Sequence, residues 1–249
     1  MIKLTDHLLS LAEEDQILAT QNDFLRKAGE GTLEYERLRD WLIQDRFYAL
    51  SGYTRFISIL ISKSEPTLED PDHPEAIKYL DRLAVLTSAL TNIDREIRFF
   101  EQVAKRNEID LTHRTDPSNI KTSQLNPLTR SYIDYMVSLA STRTYQESLV
   151  LLWAMEHLYY KAWSFASSFL PKPTDHQTVG DRRVKGAMSQ LIPNWSSESF
   201  KSFLDSISDL VDRDLGQGWY DLEGPNLKKL TDVWYNALWF EIRFWDGKV

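Results

Sequence analysis

The chain has no cysteine. That single absence removes disulfides, thiolate metal sites, iron–sulfur ligation and a cysteine nucleophile together. No apolar run approaches the roughly 20 residues that a membrane-spanning helix needs. The opening MIKLTDHLLSLAEEDQ carries acids where a secretory signal has its apolar segment, so no membrane partner and a cytoplasmic location are expected. A long basic block is missing too, and the formal charge is −8, which argues against a phosphate-backbone partner, so nucleic acid is not expected.

Metal and nucleotide motifs are equally scarce. His7, His73, His113, His157 and His176 are scattered, and neither HExxH nor a paired ExxH pattern occurs, so no metal is expected. His157 follows Glu156 directly and therefore sits about 100° away on a helix, so the two do not share a face. Gly29-Glu30-Gly31 follows a helical segment and lacks a third glycine at dinucleotide-loop spacing. No GxSxG elbow is present. No cofactor is expected on these grounds, with one exception left open, a haem carried by His7 on the first helix.

What is present is helical periodicity. The nine glycines sit at punctuation points, and no segment alternates as a strand would, so the prediction is an all-α chain forming a single domain over residues 1–249. At 249 residues and 42% hydrophobic content the chain can bury a full core. The pattern predicts a first helix from a Thr5 cap to about Asp15 and a second from Gln16 to Lys27. A long third helix follows from Thr32 to about Ser62, then one from Pro74 to Arg106 with Pro74 in its first turn. Further helices are predicted over NPLTRSYIDYMVSLA, over Leu149–Trp163, in a short basic stretch with Arg182, Arg183 and Lys185, from a Ser196 or Ser197 cap to about Arg213, and over Asn226–Asp246. Loops are expected at Ser64–Asp72, Asn107–Asn126, around Pro171, Pro173 and Gly180, and at Gly216, Gly218, Gly224 and Pro225.

Three acids interrupt the apolar faces of these helices. Glu156 shares a stripe with Leu152, Trp153, Tyr159 and Trp163. Asp45 shares one with Leu38, Trp41, Leu42 and Tyr48, and Glu241 lies among Trp234, Tyr235, Trp239, Phe240, Phe244 and Trp245. An isolated buried carboxylate costs several kcal/mol, so each is either satisfied by a tyrosine or arginine or is functional. The 8 Trp, 11 Tyr and 11 Phe can fill a core or stack on a flat ligand. In a dry aromatic pocket a carboxylate can hydrogen-bond amino and ring-nitrogen groups and, with a raised pKa, act as general acid or base.

These residues resemble the TenA/thiaminase II family. The run WLIQDRFYALSGYTRFISIL is similar to the family's long early helix, with its glutamine–aspartate pair and following tyrosine at Gln44, Asp45 and Tyr48. NPLTRSYIDYM is similar to the helix start that carries an active-site tyrosine, here Tyr132, and FEIRFWD to the terminal pattern that carries a catalytic glutamate, here Glu241. The family's nucleophilic cysteine falls on Met155, with Tyr159 as the aromatic residue four positions on and Glu156 immediately after. LWAMEHLYYKAW is thus similar to a cysteine-lacking branch in which a glutamate occupies that region. A further family tyrosine is replaced by Trp195 in WSSESF.

The resemblance implies a haem-oxygenase-like helical bundle around an enclosed 4-aminopyrimidine pocket, and a role in salvaging the pyrimidine half of degraded thiamin. It assigns Asp45, Tyr48, Tyr159, Met155 and Trp195 to substrate binding and Glu156, Glu241 and Tyr132 to catalysis. A thioether cannot replace a thiolate. The expected enzyme is therefore a hydrolase using carboxylate-activated water, acting on N-formyl-4-amino-5-aminomethyl-2-methylpyrimidine, on its deformylated amine, or on both. Tyr132 or Tyr159 would polarise the carbonyl. The alternative is a non-catalytic aminopyrimidine-binding or regulatory protein on the same fold. A homo-oligomer is possible for either.

Overall fold

Between Leu149 and Met155 every side chain is apolar, and a helix without a polar face has to be surrounded by protein. In the computed structural model, which describes residues 3–66, 70–112, 125–171, 180–214 and 224–246, this stretch lies in the central helix Tyr145–Ser167. Its start is a capping box: the Thr144 hydroxyl accepts from the Glu147 backbone N–H while the Glu147 carboxylate accepts from Thr144. Glu147 through Glu156 are all buried, so the face expected from sequence is here a complete circumference.

In chain order the described elements are α1 (Leu4–Leu9), α2 (Glu13–Thr20), α3 (Asp23–Glu30), α4 (Tyr35–Phe47), a π turn (Tyr48–Tyr53), α5 (Thr54–Ser62), α6 (Pro74–Arg106), α7 (Pro127–Thr142), α8 (Tyr145–Ser167), α9 (Arg182–Trp195), α10 (Glu198–Asp214) and α11 (Pro225–Phe244). No strand occurs among the described residues. Helix α8 packs against α2, α3, α5, α7, α9, α10 and α11. No described helix is long and apolar enough to cross a membrane.

Several boundaries differ from expectation for local reasons. The two helices expected before Lys27 are three, because Ala12 adopts a left-handed conformation (φ 53°) and Asn22 caps α3 by accepting from the Phe24 N–H. Thr5 is not a cap: its N–H and hydroxyl both donate to Asp212 on α10. Pro74, Pro127 and Pro225 open their helices in the first turn, where proline's missing N–H is not needed. Ser197 caps α10, its hydroxyl accepting from the Phe200 N–H. Leu80, an apolar residue near the start of α6, is 58% exposed, because the first turns of α6 pack less deeply than the later ones. The basic cluster is solvent-facing in part: Arg182 is exposed, while Arg183 pairs with Asp181 and lies over the Tyr35 ring. His113, His176, Pro173, Gly216, Gly218 and most of the expected 107–126 loop lie outside the described residues.

The long helix expected from Thr32 to Ser62 begins at Tyr35 and is not uniform in its hydrogen bonding. The π turn at Tyr48–Tyr53 divides it, and such turns recur at functional sites. Gly52 sits in this turn against α7, where an added Cβ would stand 2.5 Å from Met136 Cε and 2.9 Å from Ile133 Cγ1. Glycine therefore permits the close approach of the two segments.

Candidate active site

Asp45, Tyr48 and Tyr53 come from α4 and the π turn and enter one cavity. In an uninterrupted α-helix at about 100° per residue, Tyr53 would lie about 80° away from Asp45. The wider π turn takes up most of that difference and returns Tyr53 to the Asp45 side. From α7 comes Tyr132, from α8 Met155, Glu156 and Tyr159, and from α11 Glu241 and Phe244. The cavity they enclose measures about 700 Å³, within the usual range for small-molecule sites.

Each acid meets a different partner. Tyr132 donates to Glu241 Oε1 at 2.7 Å, and its ring stacks on Phe240 with centroids 4.3 Å apart. Tyr53 donates to Glu156 Oε1. Tyr48 donates to the Met155 sulfur at 3.0 Å, and its ring packs 5.1 Å from that of Tyr132. Asp45 is buried and accepts no hydrogen bond from any described residue. An unpartnered buried carboxyl group facing a cavity is available to hydrogen-bond a ligand.

Burial sets the protonation of these acids. It pushes Glu156 and Glu241 up to about 7, against the hydrogen bonds from Tyr53 and Tyr132, which favour the ionised forms. Asp45 is pushed up to about 8, first by burial and then by the nearby charges of Glu241 and Glu96. Tyr48, Tyr53, Tyr132 and Tyr159 are all held well above the ordinary tyrosine value, burial being the main cause, and so remain hydroxyl donors. Two carboxylic acids poised near neutrality can accept and return protons in one cycle.

All eight residues singled out in the sequence line this cavity: Asp45, Tyr48, Tyr132, Met155, Glu156, Tyr159, Trp195 and Glu241. The Trp195 indole N–H donates to Glu96 Oε2 at 3.1 Å while its ring packs against Tyr159 and Trp163. His7 does not line the cavity, which leaves the haem reading without its ligand there. His157 turns away, its ring against Trp153 and Trp234, and burial lowers its pKa to about 4. No group of three or more His, Asp or Glu among the described residues is placed to hold a metal ion.

Two site residues escaped the sequence reading. Tyr53 falls off the helical stripe unless the π turn is known, since that stripe was laid out at constant pitch. Glu96 lies in IDREIRFFEQ, a charged stretch that carries no motif, yet it lines the cavity and holds Asn194 and Trp195. Only its spacing, one residue before Ile97 on the buried side of α6, hinted at this.

An enclosed acid- and tyrosine-lined cavity inside an all-helical bundle defines a small-molecule pocket protein with acid–base groups to hand. The chain belongs to the TENA/THI-4/PQQC family, whose model matches residues 14–249. A Fusarium pseudograminearum (strain CS3096) protein named a probable transcription factor is 31% identical over 236 residues, a match covering 84% of this chain and 45% of that protein. The chain thus spans less than half the length of this curated relative. A TenA homologue from Pyrococcus furiosus superimposes with a TM-score of 0.75 at 21% identity, over 98% of each chain. A Sulfolobus solfataricus structure described as a TenA-like thiaminase gives 0.66 at 16% identity, over 99% of this chain and 95% of that one. The fold is accordingly the haem-oxygenase-like helical bundle of TenA homologues.

Proposed function

We propose that the protein is a thiamin-related pyrimidine hydrolase that works without a cysteine or a cofactor, as one domain and in the cytoplasm. The observation that carries this reading is the convergence of Glu156 and Glu241, each pushed to about 7 and each hydrogen-bonded by a tyrosine, on one cavity with the unpartnered Asp45. Family membership and the likeness to a structure described as a thiaminase support it.

In this reading Asp45, held as the neutral acid, accepts a hydrogen bond from the 4-amino group at one oxygen and donates its O–H to the adjacent ring nitrogen, with Tyr48, Tyr159 and Trp195 flanking the ring. For the N-formyl substrate, the ionised one of Glu156 and Glu241 takes a proton from water as its oxygen bonds to the formyl carbon. Tyr159, or Tyr132 once its O–H turns from Glu241, supports the negative charge that develops on the carbonyl oxygen. The tetrahedral adduct collapses, the C–N bond breaks, the protonated glutamate gives a proton to the departing amine, and formate and the aminomethylpyrimidine leave. Met155 occupies the position of the family nucleophile, and its thioether contributes contact rather than attack. The deformylated amine is a second substrate of the same groups, with ammonia as leaving group.

The test is release of formate and ammonia from the two pyrimidines by purified protein. Glu156→Gln and Glu241→Gln are each expected to lower formate release by about 10²- to 10⁴-fold while leaving pyrimidine affinity within a few-fold. Binding with no turnover by the unaltered protein would sink the enzyme reading. It would favour the second one, a pyrimidine-sensing regulatory protein, for which the name of the longer Fusarium relative speaks.

A further inference from the structure

Glu96 enters the same cavity from α6, a helix that supplies none of the groups used above. Its Oε2 accepts from Asn194 Nδ2 at 2.7 Å and from Trp195 Nε1 at 3.1 Å, so two donors at the end of α9 fix the carboxylate. Its Oε1 accepts no hydrogen bond from any described residue; the nearest described cation is Arg95, 3.9 Å away on a side chain that is 66% exposed. An ion pair that long and that exposed holds little. Burial raises the Glu96 pKa, and the two N–H donors oppose this by favouring the ionised form.

The surroundings suit a charged ligand group of one sign. Asp45, Glu96, Glu156 and Glu241 place four carboxyl groups on the cavity, against which Arg95 is the one Lys or Arg among the described residues of its lining. Glu96 acts electrostatically on both Asp45 and Glu156, so its carboxylate stands within range of the ring-binding acid and of one proposed catalytic acid. At about 700 Å³ the cavity has room beyond a single ring for a substituent, and Asn92, Ser199 and Ser202 add neutral polar groups to its lining.

We infer that Glu96 is a specificity-determining residue: its free oxygen takes a protonated amine on the ring substituent, and the acidic cavity it completes turns phosphate esters away. The inference rests on the pyrimidine reading above. A cationic amine gains a charge-assisted hydrogen bond, about twice as strong as a neutral one. A phosphate monoester would face the Glu96 carboxylate and the ionised one of Glu156 and Glu241, with one exposed arginine among the described lining residues to balance them, an arrangement that discriminates by repulsion.

Calorimetric titration tests this with three probes: 4-amino-5-aminomethyl-2-methylpyrimidine, its 5-hydroxymethyl counterpart, and the phosphate monoester of that alcohol. The unaltered protein is expected to bind the amine about tenfold more tightly than the alcohol and the phosphate ester most weakly. In Glu96→Gln the amine should lose about tenfold, the alcohol should be unchanged, and the phosphate ester should gain. The unchanged alcohol affinity also confirms that the variant is folded. An unaltered protein that binds the phosphate ester as tightly as the alcohol, or a folded variant that keeps the amine preference, overturns the role of Glu96 and leaves the pyrimidine reading standing. Failure of all three probes to bind the unaltered protein overturns both.

Discussion

Tyr53 donates its hydroxyl to the Glu156 carboxylate and so ties the π turn to the central helix at the cavity wall. This is the interaction that opposes the effect of burial on Glu156. Replacing the hydroxyl by hydrogen in Tyr53→Phe removes it, and the Glu156 pKa then rises above about 7. With Glu156 as the base, the acid limb of the kcat/KM profile should move to higher pH by about one pH unit. Activity near pH 6 falls by about tenfold while activity near pH 9 is preserved. A profile that drops uniformly at every pH would show that Tyr53 acts in some other way.

The unaltered protein should show a bell-shaped pH dependence. Glu156 and Glu241 both stand at about 7, and the proposed cycle needs one ionised and the other protonated. The maximum of kcat/KM is therefore expected near pH 7, with a fall on each side whose apparent pKa values belong to the pair. Formate release measured from pH 5 to 9 checks this.

Asp45 makes a stability prediction with a defined sign. Its ordinary pKa of 3.8 is raised to about 8 in the folded chain, first by burial, so between those values the native state holds a proton that the unfolded state has lost. Stability attributable to this group is thus greatest at low pH and falls as pH rises through that window. Asp45→Asn removes the titration. It should raise Tm by about 3 °C or more at pH 9 and by about 1 °C or less at pH 4, while weakening pyrimidine binding. Thermal melts at the two pH values, with calorimetry alongside, decide it.

Thiol chemistry gives a clean contrast. The chain has no cysteine, so iodoacetamide should leave its activity intact. Met155→Cys places a thiol beneath the Tyr48 hydroxyl, and that variant should be alkylated and blocked, as mass spectrometry and residual activity would report.

Gly52→Ala tests the seam between the π turn and α7. A methyl at Gly52 would meet Met136 and Ile133 at 2.5 and 2.9 Å, and overpacking of this kind costs about 1–3 kcal/mol. The roughly 1 kcal/mol that alanine gains over glycine within a helix does not offset the upper part of that range. Urea unfolding should show a net loss, and the shift of Tyr53 should lower activity with it.

The helical class, the starts of α6 and α7 at Pro74 and Pro127, and the presence of acids on apolar faces were all legible in the chain. They depend on spacing within one element, and a helix repeats that spacing along its own axis. The Thr144–Glu147 capping box follows the same local rule, since the T-x-x-E spacing is written in the chain. The resemblance carried the eight site residues to one cavity because it supplied the long-range order that periodicity lacks.

What the tertiary structure alone decided is which partner each acid meets. Tyr53 and Glu156 are 103 residues apart, and Tyr132 and Glu241 are 109 apart, so no local pattern pairs them. Tyr53 reaches the cavity through a π turn that the close Gly52–α7 packing accommodates, and a constant helical pitch cannot express that. Glu96 belongs to a charged stretch of α6 that looks solvated until Asn194 and Trp195 close over it. The amino-acid order determined that these carboxylates would have to be accounted for; the docking of helices around α8 determined that Glu156 and Glu241 would be answered by tyrosines and Asp45 left open to the cavity.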